Sequence, residues 1–313
     1  MLRFVVRRLL SGAVLVVVLS SLAYLLLYIS AGNIARNILG QSATEETVEL
    51  KKQELGLDQP LLTRFGDWVS NAFQGDLGVS WFTGQPVTEA LTSRLAVTLS
   101  LVMGATVVTA VVSVALGVLA AKRRGWADRL VQVVAVLGFA IPGFLIALGL
   151  VLVFAINLGW FEPTGYTQFS ESPTGWLSSI TLPVIALALG GIAGVSAQIR
   201  GSMIDALRLD YVRTLRSRGL SESRVVYKHV LRNAAGPALS VLGLQFVGLL
   251  SGAVIIEQIF AIPGLGQVIV GATAQGDIPL VMGVVLVTAV IVVILNLVVD
   301  LLQGWLNPKV RLS

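Results

Sequence analysis

DYVRTLRSRGLSESRVVYKHVLRN, residues 210–233, holds six of the chain's 22 lysines and arginines and its single histidine. The rest of the chain is apolar: 55% of its 313 residues are hydrophobic and only 12% are charged. Soluble domains carry about 25% charged residues. Half that share, with long apolar runs, marks an integral membrane protein. In such a chain a segment this polar lies outside the hydrocarbon, and its place between apolar runs orders the spans on either side.

A helix needs about 20 apolar residues to cross a bilayer. Runs of that kind cover Leu9–Ala31, Leu95–Ala121, Leu130–Leu158, Leu177–Ile199, Ala238–Ile262 and Leu280–Leu306. They predict an all-α protein with six transmembrane helices. Arg3, Arg7 and Arg8 precede the first run, which has 23 residues and ends in a poor cleavage site with Ile29 two before Ala31. A signal peptide has a shorter apolar core, so this run reads as a retained anchor. Pro142 and Pro183 lie within or at the start of runs, where neighbouring helices can satisfy freed carbonyls. The pairs Gly190/Gly194 and Gly248/Gly252 have the spacing that lets helix backbones approach.

Basic residues orient the spans. With the N-terminus inside, 17 of the 22 fall on cytoplasmic segments: the N-terminus, residues 122–129, residues 200–232 and the C-terminal tail. Only Arg36, Lys51, Lys52, Arg64 and Arg94 fall outside. Both termini are therefore expected in the cytoplasm, with the opening segment facing it between spans four and five. The organisation is then residues 1–31 as N-terminus and first helix, 32–94 as an extracytoplasmic lid segment, and 95–313 as a five-helix core with a cytoplasmic loop at about 205–232.

Within that loop Asp210–Arg218 contains no helix breaker, Gly219 can end the helix in a left-handed cap, and Ser221 is placed to cap a second helix. Val225, Val226, His229 and Val230 follow at helical spacing, beside Arg224, Lys228 and Arg232. Two readings fit this amphipathic hairpin: a docking surface for a soluble partner, or an interfacial helix on anionic lipid. Other chemistry is poorly served. Without cysteine there is no disulfide or thiolate site. One histidine makes no metal site with these neighbours; it is a pH-sensitive element or an ordinary interface residue. The sequence pI of 9.8 does not point to nucleic acid, because the basic residues flank spans and form no stripe. GATAQGDI at Gly271 has Asp277 where a phosphate-binding loop needs lysine, and GLGQVI at Gly264 lacks a dinucleotide loop's third glycine.

Two acids lie at or near membrane depth, where an ionisable group suggests function. Glu257, with Phe260, Pro263 and Gly264 after it, either lines an outer gate or orients the Pro-Gly turn. Asp300 is placed for a structural ion pair with Lys309 or the loop arginines. Outside, Trp68, Phe73, Trp81 and Phe82 either pack the lid or contact another protein.

The loop resembles the cytoplasmic loop of ABC-importer permeases, and most specifically the peptide-permease branch. That branch commonly reads D-Y-V-R-T-A-x-x-K-G, against DYVRTLRSRG here, with Leu215 for the alanine and Arg218 for the lysine. HVLRNAAGP resembles its H-A-L-R-N-A-x-x-P. LGLDQPLLTRFGDWV and GDLGVSWFTGQPV match its outer segment, EQIFAIPGLGQ its E-x-x-F-x-x-P-G-L-G, and VDLLQGWLNPKVR its C-terminal pattern, with Gln303 at a frequent tyrosine. Arg213 stands where the wider superfamily has a glutamate, so that contact does not carry over. The likeness is to the first (B-type) permease subunit of dipeptide and oligopeptide importers and spans nearly the whole chain in order.

The resemblance implies a type I permease fold and a heterodimer with a related second permease. It also implies two cytoplasmic ATPases that bind the ATP and magnesium, an extracytoplasmic substrate-binding protein, a cell-membrane location and no catalysis in this chain. The loop would seat on an ATPase through Asp210, Tyr211, Arg213, Thr214, Arg216, Gly219, Leu220, Arg224, His229 and Arg232, with Val225, Val226 and Val230 supplying the buried contact. Relatives also handle nickel complexes and haem. From the residues alone, a proton-coupled carrier using Glu257 and Asp300 is the main competitor, opposed by the structured loop and the lack of inverted repeats. An intramembrane hydrolase lacks paired catalytic groups at membrane depth.

Overall fold

The structure is a computed structural model that describes residues 2–30, 34–40, 42–122, 125–126, 128–129, 132–133, 138 and 140–306. Among these residues it is helical, with a single isolated antiparallel bridge between Val79 and Pro86. The helices are α1 (Leu2–Ser30), α2 (Ile34–Leu39), α3 (Glu45–Glu54), α4 (Leu61–Phe73), α5 (Val87–Lys122), α6 (Gly143–Asn157) and α7 (Pro173–Leu207). There follow α8 (Asp210–Ser217), α9 (Glu222–Ile259), α10 (Leu265–Gln275) and α11 (Ile278–Leu306).

Five of these helices, α1, α5, α7, α9 and α11, are long and apolar enough to cross a membrane. The expected third span, Leu130–Leu158, falls in part on residues outside those described. Its continuous described helix is the 15-residue α6, which starts after Pro142 and widens to π-helical bonding over Val151–Asn157. At about 1.5 Å per residue, the 36 residues of α5 reach about 54 Å, well beyond a hydrocarbon core of about 30 Å. The apolar runs Leu95–Ala121, Leu177–Ile199 and Ala238–Ile262 therefore fall on helices that begin 8, 4 and 16 residues before them. Along α1 the apolar side chains at Leu10, Val14, Val18, Leu22 and Leu26 are exposed, as lipid-facing residues are.

The chain divides into two compact units, one of residues 98–262 with 295–306 and one of 2–97 with 263–294. In the first, α7 packs on α5 and α9. A β-carbon at Gly117 of α5 would come within 2.7 Å of Ile199 and 3.0 Å of the Ser196 carbonyl, so only glycine admits this approach. Thr109 and Ser113 hydroxyls donate across to the Ala188 and Ile192 carbonyls at 3.4 and 3.2 Å. Small and hydroxylated residues thus join these helices where lipid offers no hydrophobic drive. Of the glycines expected to do this, Gly190 faces open space and Gly248 meets only Gln245 of its own helix, whereas Gly252 touches Leu187 of α7 at 3.4 Å. Spacing identified glycines but not the helix face that meets a partner.

In the second unit, Tyr24, Ile34, Ile278 and Met282 form one core, with Phe65, Trp68 and Trp81 packed against it. Trp68 and Trp81 are thus lid-packing residues within this chain, whereas Phe73 is 88% exposed. Asp277 closes the turn between α10 and α11. Its Oδ1 accepts from the backbone N–H of Leu280 at 3.4 Å and of Trp81 at 3.3 Å, and Oδ2 accepts the Ser80 hydroxyl at 2.5 Å. It is at once the N-cap of α11 and the anchor of the 80–86 turn. Asp277→Ala removes the cap and strands two donors, a cost of about 3 kcal/mol. Asp277→Asn keeps one acceptor oxygen and costs less. Thermal unfolding of the purified variants in one detergent checks the order.

Candidate functional site

The polar segment folds as a helix, a glycine turn and a second helix. α8 starts at Asp210, whose acid in the first turn favours the helix dipole. It ends in a Schellman motif: Gly219 has φ +79°, its N–H reaches the Arg216 carbonyl at 2.9 Å, and the Leu220 N–H reaches Leu215 at 3.3 Å. Arg216 spans the turn to Glu222 with two bonds, Nε to Oε2 at 3.0 Å and Nη2 to Oε1 at 2.7 Å. This bond raises the Arg216 guanidinium further and holds the Glu222 carboxyl below its ordinary value. A lowered carboxyl contributes stability that is present above its ordinary value and lost in acid. With both side chains about half exposed, the pair is worth no more than about 1 kcal/mol. Its role is to fix the angle of the turn.

Ser221 takes the extended N-cap backbone, but its side chain makes no capping bond. The second helix then widens to π-helical bonding over Val225–Val230. Bonds from i to i+5 stack Val225 under Val230 and swing His229, four residues on, to the edge, where it is half-buried. The expected stripe is therefore three valines, not four residues. Its partner also differs from expectation. Val225, Val226 and Val230 are at most 1% exposed, packed with Val212, Met203, Ala206, Val118 and Ala121 of this chain. They cannot be the contact offered to another protein; they seat the hairpin on the ends of α5 and α7.

What the loop presents outward is charge. Arg213, Thr214, Arg216, Arg218, Arg224 and Lys228 are exposed, with Leu209 and Tyr227 among them. Three contacts tie this surface to the helices: Asn233 Nδ2 donates to the Tyr211 hydroxyl at 2.9 Å, the Lys122 ammonium lies 5.4 Å from the Tyr227 ring, and Arg232 lies 5.7 Å from the Trp305 ring. Arg200 at the polar end of α7 grips Asp128 with two hydrogen bonds, Nη2 to Oδ2 at 2.6 Å. The loop is thus joined by contacts to the ends of the spans.

Glu257 is wholly buried, and its Oε1 accepts the Thr98 hydroxyl of α5 at 2.6 Å. Its carboxylate is turned into the chain, not onto an open pathway. Its carbonyl closes a second Schellman motif, taking the Ile262 N–H at 2.9 Å while Phe260 lies buried beside it. Here the left-handed position is Ala261, at φ +50°. An L-residue there costs about 1–2 kcal/mol, of which glycine returns about 0.4–1 through its freer unfolded chain. Ala261→Gly is expected to raise stability by about 0.5–1 kcal/mol, read as a higher Tm. Pro263 is exposed and Gly264 is the buried N-cap of α10; both belong to the other unit. Asp300 is half-buried near the end of α11, while Lys309, its expected partner, lies outside the described residues. Gln303 donates to Ser240 at 2.9 Å. Among the described residues no group of three acids or histidines gathers as a metal site.

With this arrangement in view, comparison with known proteins is decisive. Residues 113–312 match the model of the binding-protein-dependent transport system inner membrane component, and residues 1–102 match the N-terminal model of the same system's membrane component. The chain belongs to this family. It is a multi-pass inner-membrane permease of the ABC type. A Brucella abortus (strain 2308) protein assigned as a peptide transport system permease is 40% identical over 312 residues, 99% of each chain. The glutathione transport system permease GsiC of Escherichia coli O6:H1 is 38% identical over the same share. A Sinorhizobium fredii protein assigned as a peptide ABC transporter permease is 35% identical over 309 residues. Sequence reading of this permease missed Thr98, Asp128 and Asp277. Their partners lie 159, 72 and 197 residues away, so no local pattern marks them.

Proposed function

We propose that this chain is the first permease subunit of an ATP-driven importer of di- or oligopeptides. The observation that carries the reading is end-to-end likeness, 40% identity over 99% of the chain, to a protein assigned to peptide transport. Likeness at 38% to a glutathione permease agrees, because glutathione is itself a tripeptide. In this reading a related second permease forms the other half of the pathway, a binding protein delivers the peptide from outside, and two ATPases in the cytoplasm bind ATP and magnesium. In the same reading the chain has six spans, with both termini inside and the 32–94 lid outside.

The loop is the coupling element. Its valines are locked in the permease core, so movement of the hairpin is movement of α7 and α9. Its outer face offers Arg213, Arg218, Arg224 and Lys228 to an acidic groove, where charge steers docking. Gly219 sets the angle of that face. Glu257 acts as a positioning residue, holding the end of α9 against α5 beside the turn into α10.

The test is reconstitution. Vesicles holding the chain with its permease partner, the ATPases and the binding protein should take up labelled dipeptide, pentapeptide or glutathione only with ATP. The chain alone should hydrolyse none. Uptake driven by a proton gradient without the ATPases would favour a secondary carrier and overturn the reading.

A further inference from the structure

The second unit contains a cleft of about 330 Å³ between α3, α4, the 80–86 turn and the start of α11. Its size lies at the lower end of small-molecule sites, about 300–1,000 Å³. Arg64, Asp67, Trp68 and Asn71 line it from one face of α4, at the i, i+3, i+4, i+7 spacing that aligns side chains. Tyr24, Trp81, Ile278 and Pro279 give it apolar walls.

Among the described residues, two donors in this lining have no acceptor. Arg64 Nη1 and Trp68 Nε1 are buried and unbonded, on consecutive turns of one helix. Such groups are costly to leave unmade, the charged one most. Arg64 has a single weak bond, Nη2 to the Leu55 carbonyl at 3.4 Å, and lies 5.8 Å from the Trp81 ring. No carboxylate pairs with it among the described residues. The packing that closes the floor is firm: Phe65 stacks on Trp68 at 6.1 Å and meets Tyr24 at 5.3 Å. Trp81 is held by its own N–H on Asp277.

We infer that this cleft binds the C-terminal carboxylate of a short peptide. A carboxylate is acceptor-only, with two oxygens for two donors, and its bond to a guanidinium is charge-assisted. The rim decides which carboxylate. Asp67 is exposed there, and Glu54, already bonded to Lys51 at 2.8 and 2.9 Å, lies beside it. An acidic rim around one half-buried cation repels polyanions and acidic protein surfaces but accepts a zwitterion. That the ligand is a peptide, and that the cleft faces outside, rest on the function proposed above. The cleft would then hold peptide at the outer surface of the permease, apart from the binding protein's own site.

Trp68 and Trp81 line the cleft, so tryptophan fluorescence reports binding. The full chain in lipid nanodiscs is titrated with alanyl-alanine and with alanyl-alanine amide. The acid should give a saturable change and the amide one at least tenfold weaker. Arg64→Gln should abolish the response. Trp68→Phe, which keeps an aromatic side chain but loses the N–H and part of the ring volume, should weaken it several-fold while the chain stays folded. Equal responses to acid and amide, no saturable response to either, or an undiminished response in folded Trp68→Phe and Arg64→Gln would overturn the inference. Binding is read here without ATPases or uptake. Its failure leaves the vesicle assay free to show peptide import, and failed import leaves the titration standing.

Discussion

In vesicles carrying the whole transporter, Gly219→Val is expected to cut ATP-driven uptake at least tenfold while the chain still inserts. Gly219 sits at φ +79° with nothing within 4 Å of where a β-carbon would stand. The penalty is therefore backbone strain and not a clash, about 1–2 kcal/mol for an L-residue and more for a β-branched one. Relief requires breaking the bonds from Gly219 to Arg216 and from Leu220 to Leu215. That turns the second helix away from Val212 and lifts Val225, Val226 and Val230 from a core in which each contributes about 1.5–3 kcal/mol. Insertion is expected to persist because none of the apolar spans includes this turn. Gly219→Asn separates the causes, because asparagine tolerates left-handed backbone. It should transport nearly as wild type. Equal loss in Val and Asn variants would mean that glycine's small size, not its conformation, is what matters.

Glu257→Ala is expected to destabilise the chain by about 3 kcal/mol. It removes the bond from the Thr98 hydroxyl and opens a cavity at a site with no exposure. Glu257→Gln retains an acceptor oxygen and should cost much less. Thr98→Val leaves the carboxylate short of a donor and should also be harmful. Because the two groups touch, the double variant should lose less than the sum, with a coupling of about 1–3 kcal/mol in a thermal-unfolding cycle. Additive losses would show that the bond between α5 and α9 is not what Glu257 supplies.

Much of this architecture was legible in the sequence, for identifiable reasons. Hydropathy located the long helices because a bilayer demands about 20 apolar residues of each. Gly219 stood out because an arginine-rich helix with a lone glycine at its end has one good way to stop. What stayed hidden depends on tertiary placement. An amphipathic stripe states that Val225, Val226 and Val230 are buried, but not against what. The π-helical turn that moves His229 off the stripe leaves no periodic signal over six residues. Asp277 looked like a failed phosphate loop because its partners at Ser80 and Trp81 come from across the fold. Ala261 carries a strained turn with no glycine to announce it.

In the function proposed above, the 210–233 hairpin is where this permease meets its ATPases. The chain has no cysteine, so a single one can be placed at will. Ser217→Cys puts a thiol on the exposed tip of the hairpin, and Ser70→Cys puts one on the exposed face of α4. Each is coupled to a benzophenone maleimide in the assembled transporter and photolysed, and the cross-linked products are identified by mass. The account predicts that Ser217→Cys captures an ATPase subunit and Ser70→Cys does not. Capture of lipid alone at Ser217→Cys, in a complex that retains its ATPases, would contradict it and place the hairpin on the membrane surface instead.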